Sequence, residues 1–269
     1  MLEKIILWFI KLTPYTKRWF WKKWYNIFAR RYDNLELQCM NYGYFSNDFN
    51  PSLEPQDEKE RYPLQLYNFV VSNADISVKS VLEVGSGRGG GASYIAKTFG
   101  PSMYTGIDIS REAVDLCNSF YNQENLRFMV GDSENIPLED ASIDIIINVE
   151  SSHCYGSFKG FLKEVYRVLK PSGKLFFCDF RASKDIEQLM SEFEPAGFKK
   201  TSYTNITPNV IEALKRLSSN RRKEIHAKMP GFLHSTLEAF AGVEGSKVYS
   251  SFADGVLTYV SASFEKIDK

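Results

Sequence analysis

Short runs of apolar residues alternate with helical patterns through the middle of the chain. In each run consecutive side chains are apolar, as expected for strands that are buried on both faces of a sheet. These runs occupy 80–84, 104–108, 127–130, 143–149 and 174–180, and the helical patterns between them lie at 91–99, 111–121 and 157–169. Strands that alternate with helices predict an α/β fold, a doubly wound, Rossmann-like sheet of mostly parallel strands.

The pattern changes after the fifth run. The sequence predicts a helix at 186–193, a sixth strand at 198–206 and a final antiparallel strand at 256–264. Helical patterns at about 208–253 go beyond a minimal sheet, and we expect them to form a cap over the site. An extra helical layer and a subunit contact are the alternatives. The predicted organisation is an N-terminal segment and loop at 1–60, followed by one domain at 61–269.

A dense glycine turn follows the first run, in the sequence VLEVGSGRGGGASYIA at 81–96. An apolar run, a glycine turn and a helical pattern in this order are typical of a strand, a ligand-binding loop and a helix. Gly85, Gly87 and Gly90 are predicted to supply the positive φ and the missing Cβ that a close approach of backbone to ligand requires. Structural turns and dinucleotide-binding sites have the same glycine spacing, so the glycine turn alone does not identify the ligand.

Acidic residues mark the ends of three consecutive strands. Glu83 lies two residues before the first glycine, Asp108 ends the second run and Asp132 follows the third. Asp108 comes about 20 residues after the loop, where an acid that binds ribose hydroxyls is expected. Because parallel strands end at one edge of a sheet, the three carboxylates are predicted to surround one ligand.

This order of acids resembles class I S-adenosylmethionine-dependent methyltransferases rather than nicotinamide dehydrogenases. The resemblance implies S-adenosyl-L-methionine as cofactor, with loop 85–91 around its methionine part and Glu83 near its ammonium group. It implies Asp108 at the ribose, and Asp132 with Ser133 at the adenine. The complete set of expected cofactor-binding residues is Glu83, Gly85, Ser86, Gly87, Gly90, Asp108, Ile109, Asp132, Ser133 and Asn148.

A histidine follows the fourth strand in the sequence NVESSHCY at 148–155. Among the three histidines of the chain, His153 alone follows a buried run at the functional edge of the sheet. A histidine there can take a proton from a hydroxyl near neutral pH, and Asp179 at the end of the neighbouring fifth strand can fix its tautomer. We therefore predict His153 and Asp179 as catalytic residues. A substrate-positioning histidine or a hydrogen-bonded core histidine is the alternative.

Charge is unevenly distributed although the formal net charge is zero. Residues 1–31 contain eight Lys and Arg residues against one Glu, and all four tryptophans lie within the first 24 residues. Interleaved bases and aromatics are typical of helices that lie on an anionic membrane surface. Packing of these aromatics on the domain is the alternative. The basic stripe is not repeated on the body, so we expect no nucleic-acid partner.

Two further features concern the compartment and metals. The apolar run at 5–10 is too short to span a bilayer and no signal-peptide cleavage site follows it. The four cysteines stand singly, which favours a reduced, cytoplasmic compartment, with peripheral membrane attachment left open. The acids are dispersed along the chain, so no metal site is expected.

A closer resemblance covers about 17–179. The sequence MNYGY at 40–44, the glycine turn, GDSENIP at 131–137 and NVESSHCY at 148–155 are similar to bacterial phthiotriolone and phenolphthiotriolone dimycocerosate O-methyltransferases. Ser86 departs from the cysteine usual there, and the cap is only weakly similar. The resemblance implies methyl transfer to a hydroxyl of a hydrophobic small molecule, such as a lipid or polyketide. An N- or C-methyltransferase of a quinone- or sterol-like acceptor and a non-catalytic membrane-associated module are the alternatives. The sequence does not fix the oligomeric state.

Overall fold

The computed structural model describes residues 38–267, together with Thr13 and Thr16. A seven-stranded sheet forms its centre, in the order β3-β2-β1-β4-β5-β7-β6. The first five strands are parallel, whereas β7 runs antiparallel to both of its neighbours. The strands are β1 (Ser80–Val84), β2 (Met103–Asp108), β3 (Leu126–Val130), β4 (Ile143–Val149), β5 (Leu169–Ala182), β6 (Phe198–Asn205) and β7 (Leu257–Lys266). The predicted fold class is confirmed.

Helices cover both faces of the sheet. They are α1 (Arg61–Val71), α2 (Gly90–Phe99), α3 (Arg111–Phe120), α4 (Phe158–Val168), α5 (Ile186–Ser191), α6 (Thr207–Lys228), α7 (His234–Phe240) and α8 (Lys247–Ala253). Ser110 and Ser157 each accept a backbone N–H at the start of α3 and α4, at 3.1 Å and 3.0 Å. These caps fix where each helix leaves the functional edge of the sheet.

The central strands are apolar at consecutive positions because each face of the sheet packs on its own core. In β4, Ile145 and Ile147 contact the core beneath α1 and α2, while Ile146 contacts the core beneath α4 and α5. Strand β6 lies at the sheet edge and only Phe198 of its residues is buried. Buried positions therefore follow one another in β1 and β4, whereas β6 shows no such run.

Strand β5 begins earlier than predicted. The sequence predicts a helical pattern up to 169 and a strand from 174, with the turn-forming residues KPSG at 170–173 between them, but Leu169 already pairs with Ile143 of β4. Regular pairing then resumes between Lys174 and Ile145, so the pairing register shifts across this stretch. Ser172 adopts a positive φ of 58° within it. The turn residues are thus absorbed as an irregularity inside the strand.

The insertion after β6 forms helices α6, α7 and α8. Helix α6 packs on the segment that precedes α1. The side-chain amide of Asn209 donates to the carbonyl of Phe45 at 2.9 Å, and the N–H of Phe45 donates to the carbonyl of Asn209 at 3.2 Å. Further along α6, Arg221 donates to the carbonyl of Asn41 at 3.0 Å and to that of Ala241 at 2.6 Å. In the described part of the chain, no helix combines the length and the apolar character needed to cross a membrane.

Candidate active site

The glycine loop connects β1 to α2 at the carboxyl edge of the sheet. Gly85 and Gly87 have positive φ values of 83° and 54°, as predicted. The third positive φ belongs to Gly89, at 78°, and not to Gly90 as the sequence had indicated. Gly90 is the first residue of α2, and a Cβ there would lie 2.6 Å from the carbonyl oxygen of Gln38. Because Gly90 has no Cβ, the backbone of Gln38 can lie close to the start of α2.

The segment 38–42 forms one wall of a cavity above this loop. Gly90 donates its N–H to the carbonyl of Gln38 at 3.1 Å, which ties the segment to the start of α2. Met40 lies so close to the loop that a Cβ on Gly87 would be 2.7 Å from its Cε. Gly131 and His153 are both among the residues that line the cavity.

Two of the predicted acids line this cavity, at the ends of β2 and β3. Asp108 accepts the N–H of Gly87 and of Ser110, each at 2.9 Å. Burial raises the pKa of Asp108, although these backbone N–H groups oppose the change. Asp132 accepts the N–H of Glu134 at 2.9 Å in a tight turn. The other predicted cofactor residues that line the cavity are Gly85, Ser86, Gly87, Gly90, Ile109 and Ser133.

Glu83 and Asn148 do not line the cavity and instead support its floor. Glu83 is fully buried and accepts the hydroxyl groups of Tyr67 at 2.7 Å and Tyr104 at 3.1 Å. Burial raises the pKa of Glu83 to about 7, against the effect of these two hydrogen bonds. Asn148 donates to the carbonyl of Val84, the last residue of β1, at 3.0 Å. Both side chains therefore fix the end of β1, from which the loop departs.

His153 and Asp179 meet at the end of β4 and β5. The Nδ1 atom of His153 lies 2.9 Å from Oδ1 of Asp179, and the N–H of His153 donates to Oδ2 at 3.0 Å. Ser152 donates its hydroxyl to Oδ2 at 2.6 Å, and Arg181 lies 3.2 Å from the same oxygen. The ring of His153 packs on Phe180 with centroids 4.6 Å apart. Asp179 is buried behind the imidazole, whereas 20% of the His153 side chain is exposed.

The two partners have pKa values shifted in opposite directions. Burial by itself raises the pKa of Asp179, but Arg181 and His153 outweigh burial and hold it below the usual range of a carboxyl group. Burial by itself lowers the pKa of His153, but Cys154 and Asp179 outweigh it and raise the pKa above that of an ordinary histidine. The pair therefore favours a carboxylate beside a protonated imidazole at neutral pH.

Three cavity-lining residues at the end of β4 were not assigned from the sequence. Ser151 and Tyr155 direct their hydroxyl groups to the carbonyl of Val84 at 3.0 Å and 3.1 Å. Glu150 accepts the N–H of Tyr42 at 2.8 Å. All three lie within the same NVESSHCY stretch as His153, which is the only sequence signal for them. Within the described ranges, no group of three or more His, Cys, Asp and Glu side chains is arranged to hold a metal ion.

Several known proteins are similar to this chain in sequence or in fold. A family described as a methyltransferase domain matches residues 82–177. The chain is 34% identical to a phthiotriol/phenolphthiotriol dimycocerosates methyltransferase of Mycobacterium tuberculosis, over 91% of this chain and 92% of that protein. It is 32% identical to a fatty-acid O-methyltransferase of Mycolicibacterium smegmatis, over 90% of this chain and 88% of that protein.

A similar fold occurs in geranyl diphosphate C-methyltransferase from Streptomyces coelicolor, solved with Mg2+, geranyl diphosphate and S-adenosyl-L-homocysteine. The TM-score is 0.66 at 16% identity, over 93% of this chain and 98% of that one. At this identity the likeness concerns the fold alone.

Proposed function

The chain belongs to the S-adenosylmethionine-dependent methyltransferases, in the family of the phthiotriol/phenolphthiotriol dimycocerosates methyltransferases, and we propose that it methylates a hydroxyl of a hydrophobic small molecule. The contact between His153 and Asp179 carries this proposal, because an alcohol must lose its proton as its oxygen is methylated. The relatives are named for dimycocerosate lipids and for fatty acids, which favours a lipid-like acceptor.

The residues around the glycine loop fit the cofactor. The hydroxyl oxygen of Ser86 is buried without a hydrogen-bond partner among the described residues, although Ser86 lines the cavity. Asp108 and Asp132 line the same cavity and carry carboxylate acceptors. S-Adenosylmethionine carries donors for such groups in its ammonium, ribose hydroxyl and adenine amino groups. We assign Asp108 to the ribose, Asp132 and Ser133 to the adenine, and the loop with Ser86 to the methionine part.

The floor residues take a supporting role in this assignment. Glu83 is sealed beneath the loop by Tyr67 and Tyr104, so we propose that it acts on the cofactor through the position of the loop. Asn148 acts in the same way through the carbonyl of Val84.

The bound cofactor supplies an already activated methyl group. The protein then has to orient the acceptor oxygen, exclude water and receive a proton. Because Nδ1 of His153 is engaged by Asp179, we assign proton transfer to Nε2. Tyr42, Phe180 and Phe240 line the cavity, and the ring of Phe180 packs on His153, so we assign apolar surface for a hydrophobic acceptor to these residues.

This proposal is tested with methyl-labelled S-adenosylmethionine and a panel of long-chain alcohols and phenols, with methyl ethers identified by mass spectrometry. We expect His153→Ala to lower turnover of an aliphatic alcohol by about 10²–10⁴, with cofactor affinity nearly intact. Turnover of an acidic phenol should fall less in His153→Ala, because such a phenol is already partly deprotonated when it binds. His226→Ala, at a half-exposed histidine of α6, is the matched control. Wild-type turnover of the alcohol by His153→Ala would exclude His153 as the base.

A carboxylate acceptor is the second candidate, and the raised pKa of His153 favours it. A protonated imidazole would bind a carboxylate directly, and no proton would have to be removed. The two candidates predict opposite pH dependence. Methylation of an alcohol increases as His153 loses its proton, whereas methylation of a fatty acid decreases over the same pH range.

A further inference from the structure

Glu150 is fixed at the end of β4 beside the proposed base. Its backbone has a positive φ of 49°, which is uncommon for a residue with a side chain. Its N–H donates to the carbonyl of Cys178 at 2.7 Å, and its Oε2 accepts the N–H of Tyr42 at 2.8 Å. Glu150 is therefore held at its backbone and at one carboxyl oxygen, and it lines the cavity together with His153.

The second carboxyl oxygen of Glu150 is unsatisfied. Oε1 is shielded from solvent and has no hydrogen-bond partner among the described residues. Buried polar atoms in native proteins are almost always hydrogen-bonded, so an unsatisfied one in a residue that lines the cavity points to a partner that arrives with the ligand. Strained backbone is likewise most common at functional sites.

The hydrogen-bonding role of Oε1 follows from its surroundings. Burial raises the pKa of Glu150 to about 8, although His153 acts in the opposite direction. Burial therefore favours the protonated, neutral form of the carboxyl group. Because Oε2 already accepts the N–H of Tyr42, the proton belongs on Oε1, which becomes a donor.

We propose that Oε1 of Glu150 donates a hydrogen bond to a second oxygen of the acceptor, adjacent to the oxygen that is methylated. This inference rests on the proposed function and narrows the substrate class. The acceptor would carry two neighbouring oxygens, as in a β-hydroxy ketone, and a simple alcohol would leave Oε1 unpaired. Discrimination against a ligand that lacks the matching polar group is strong when the protein group is buried.

The test measures binding rather than turnover. A long-chain β-hydroxy ketone and the secondary alcohol of the same chain length are titrated by calorimetry in the presence of S-adenosyl-L-homocysteine. We expect the wild type to bind the hydroxy ketone roughly 10- to 100-fold more tightly than the alcohol. Glu150→Met, of similar shape but without a carboxyl group, should remove this preference. Glu150→Gln should keep it, because its carbonyl can accept from Tyr42 and its amide then donates in place of Oε1.

Several outcomes would overturn the inference. Equal binding of both probes by the wild type would show that Oε1 does not recognise a second oxygen. Loss of the preference in Glu150→Gln would exclude the donor role. A fall in cofactor affinity in Glu150→Met, with the preference intact, would place Glu150 at the cofactor instead. Thermal unfolding of each variant reports whether it is folded.

Failure of the proposed function would look different. His153→Ala should retain the preference between the two probes while it loses turnover of the alcohol. If the wild type binds the hydroxy ketone preferentially but methylates neither probe, hydroxyl methylation is wrong and the recognition role of Glu150 stands.

Discussion

Replacing Asp179 by asparagine is expected to reverse the tautomer of His153. In the wild type, Oδ2 of Asp179 faces the hydroxyl of Ser152, the N–H of His153 and the guanidinium of Arg181. Oδ1 faces the N–H of Phe180 and Nδ1 of His153. In Asp179→Asn the amide oxygen stays on the side with three donors, so the NH2 group takes the place of Oδ1. It then donates to Nδ1 and leaves the ring proton on Nε2.

A ring with its proton on Nε2 cannot accept another proton there from an alcohol. We therefore expect Asp179→Asn to lose turnover by about 10²–10⁴, close to the loss in His153→Ala. The pH dependence should change too. Cys154 and Asp179 raise the pKa of His153, so alcohol methylation by the wild type increases with pH above neutrality, where the raised pKa lies. Without the carboxylate this pKa falls, and the remaining activity should begin to increase at lower pH.

The assay is kcat/KM for an alcohol acceptor as a function of pH, at saturating cofactor. Asp144→Asn is the matched control, because Asp144 is paired with Lys170 at the opposite edge of the sheet. It should leave both the rate and the inflection unchanged. Asp179→Asn also removes the buried negative charge that faces Arg181, which can cost about 3–5 kcal/mol, so folding is checked by circular dichroism. A folded Asp179→Asn variant with the wild-type rate and inflection would refute the pairing.

Three further predictions concern the cofactor, the packing of the loop and the N-terminal segment. Asp108→Ala should weaken S-adenosylmethionine binding by about 1.5–3 kcal/mol in calorimetry, and unchanged affinity would remove Asp108 from the ribose site. Gly91→Ala should cost about 1–3 kcal/mol in denaturant unfolding, because a Cβ there would lie 2.0 Å from the ring of Tyr67. Gly231→Ala, with open space around it, is the control and should cost far less. Residues 1–31 lie outside the described residues except for Thr13 and Thr16. Their deletion should abolish salt-sensitive binding to anionic liposomes. Absence of binding by the full-length protein at low salt would contradict this prediction.

The sheet could be predicted because its central strands are buried on both faces. Ile145, Ile146 and Ile147 contact the cores on alternate sides, so the sequence shows an unbroken apolar run. Once the strands are parallel, their ends fall at one edge, which is why Asp108 and His153 could be expected around one cavity.

The conformation of the glycine loop could not be predicted. Gly89, Gly90 and Gly91 are adjacent, and each can adopt a positive φ at little cost. The choice depends on where α2 begins, and that is fixed by the contact of Gly90 with Gln38 and by the ring of Tyr67 against Gly91. These contacts come from distant parts of the chain.

The same limit applies to the protonation of the acids. The sequence places Glu83 at the end of β1, but its partners Tyr67 and Tyr104 lie 16 and 21 residues away. Glu150 follows β4, and its partner Tyr42 is 108 residues away. A pattern of local residues cannot indicate such surroundings, so the position of an acid was predictable and its charge was not.

Carboxyl groups in different surroundings can divide the work of one site. Asp179 is held as an anion because a guanidinium and an imidazole face it, and it therefore raises the pKa of His153. Glu150 faces the same imidazole, but burial favours its neutral form. If Glu150 were ionised as well, a second anion would stabilise the protonated imidazole further, and His153 would become a poorer base near neutral pH. Burial of Glu150 thus keeps it from adding a second negative charge near His153. The neutral carboxyl group can then donate a hydrogen bond to a substrate oxygen.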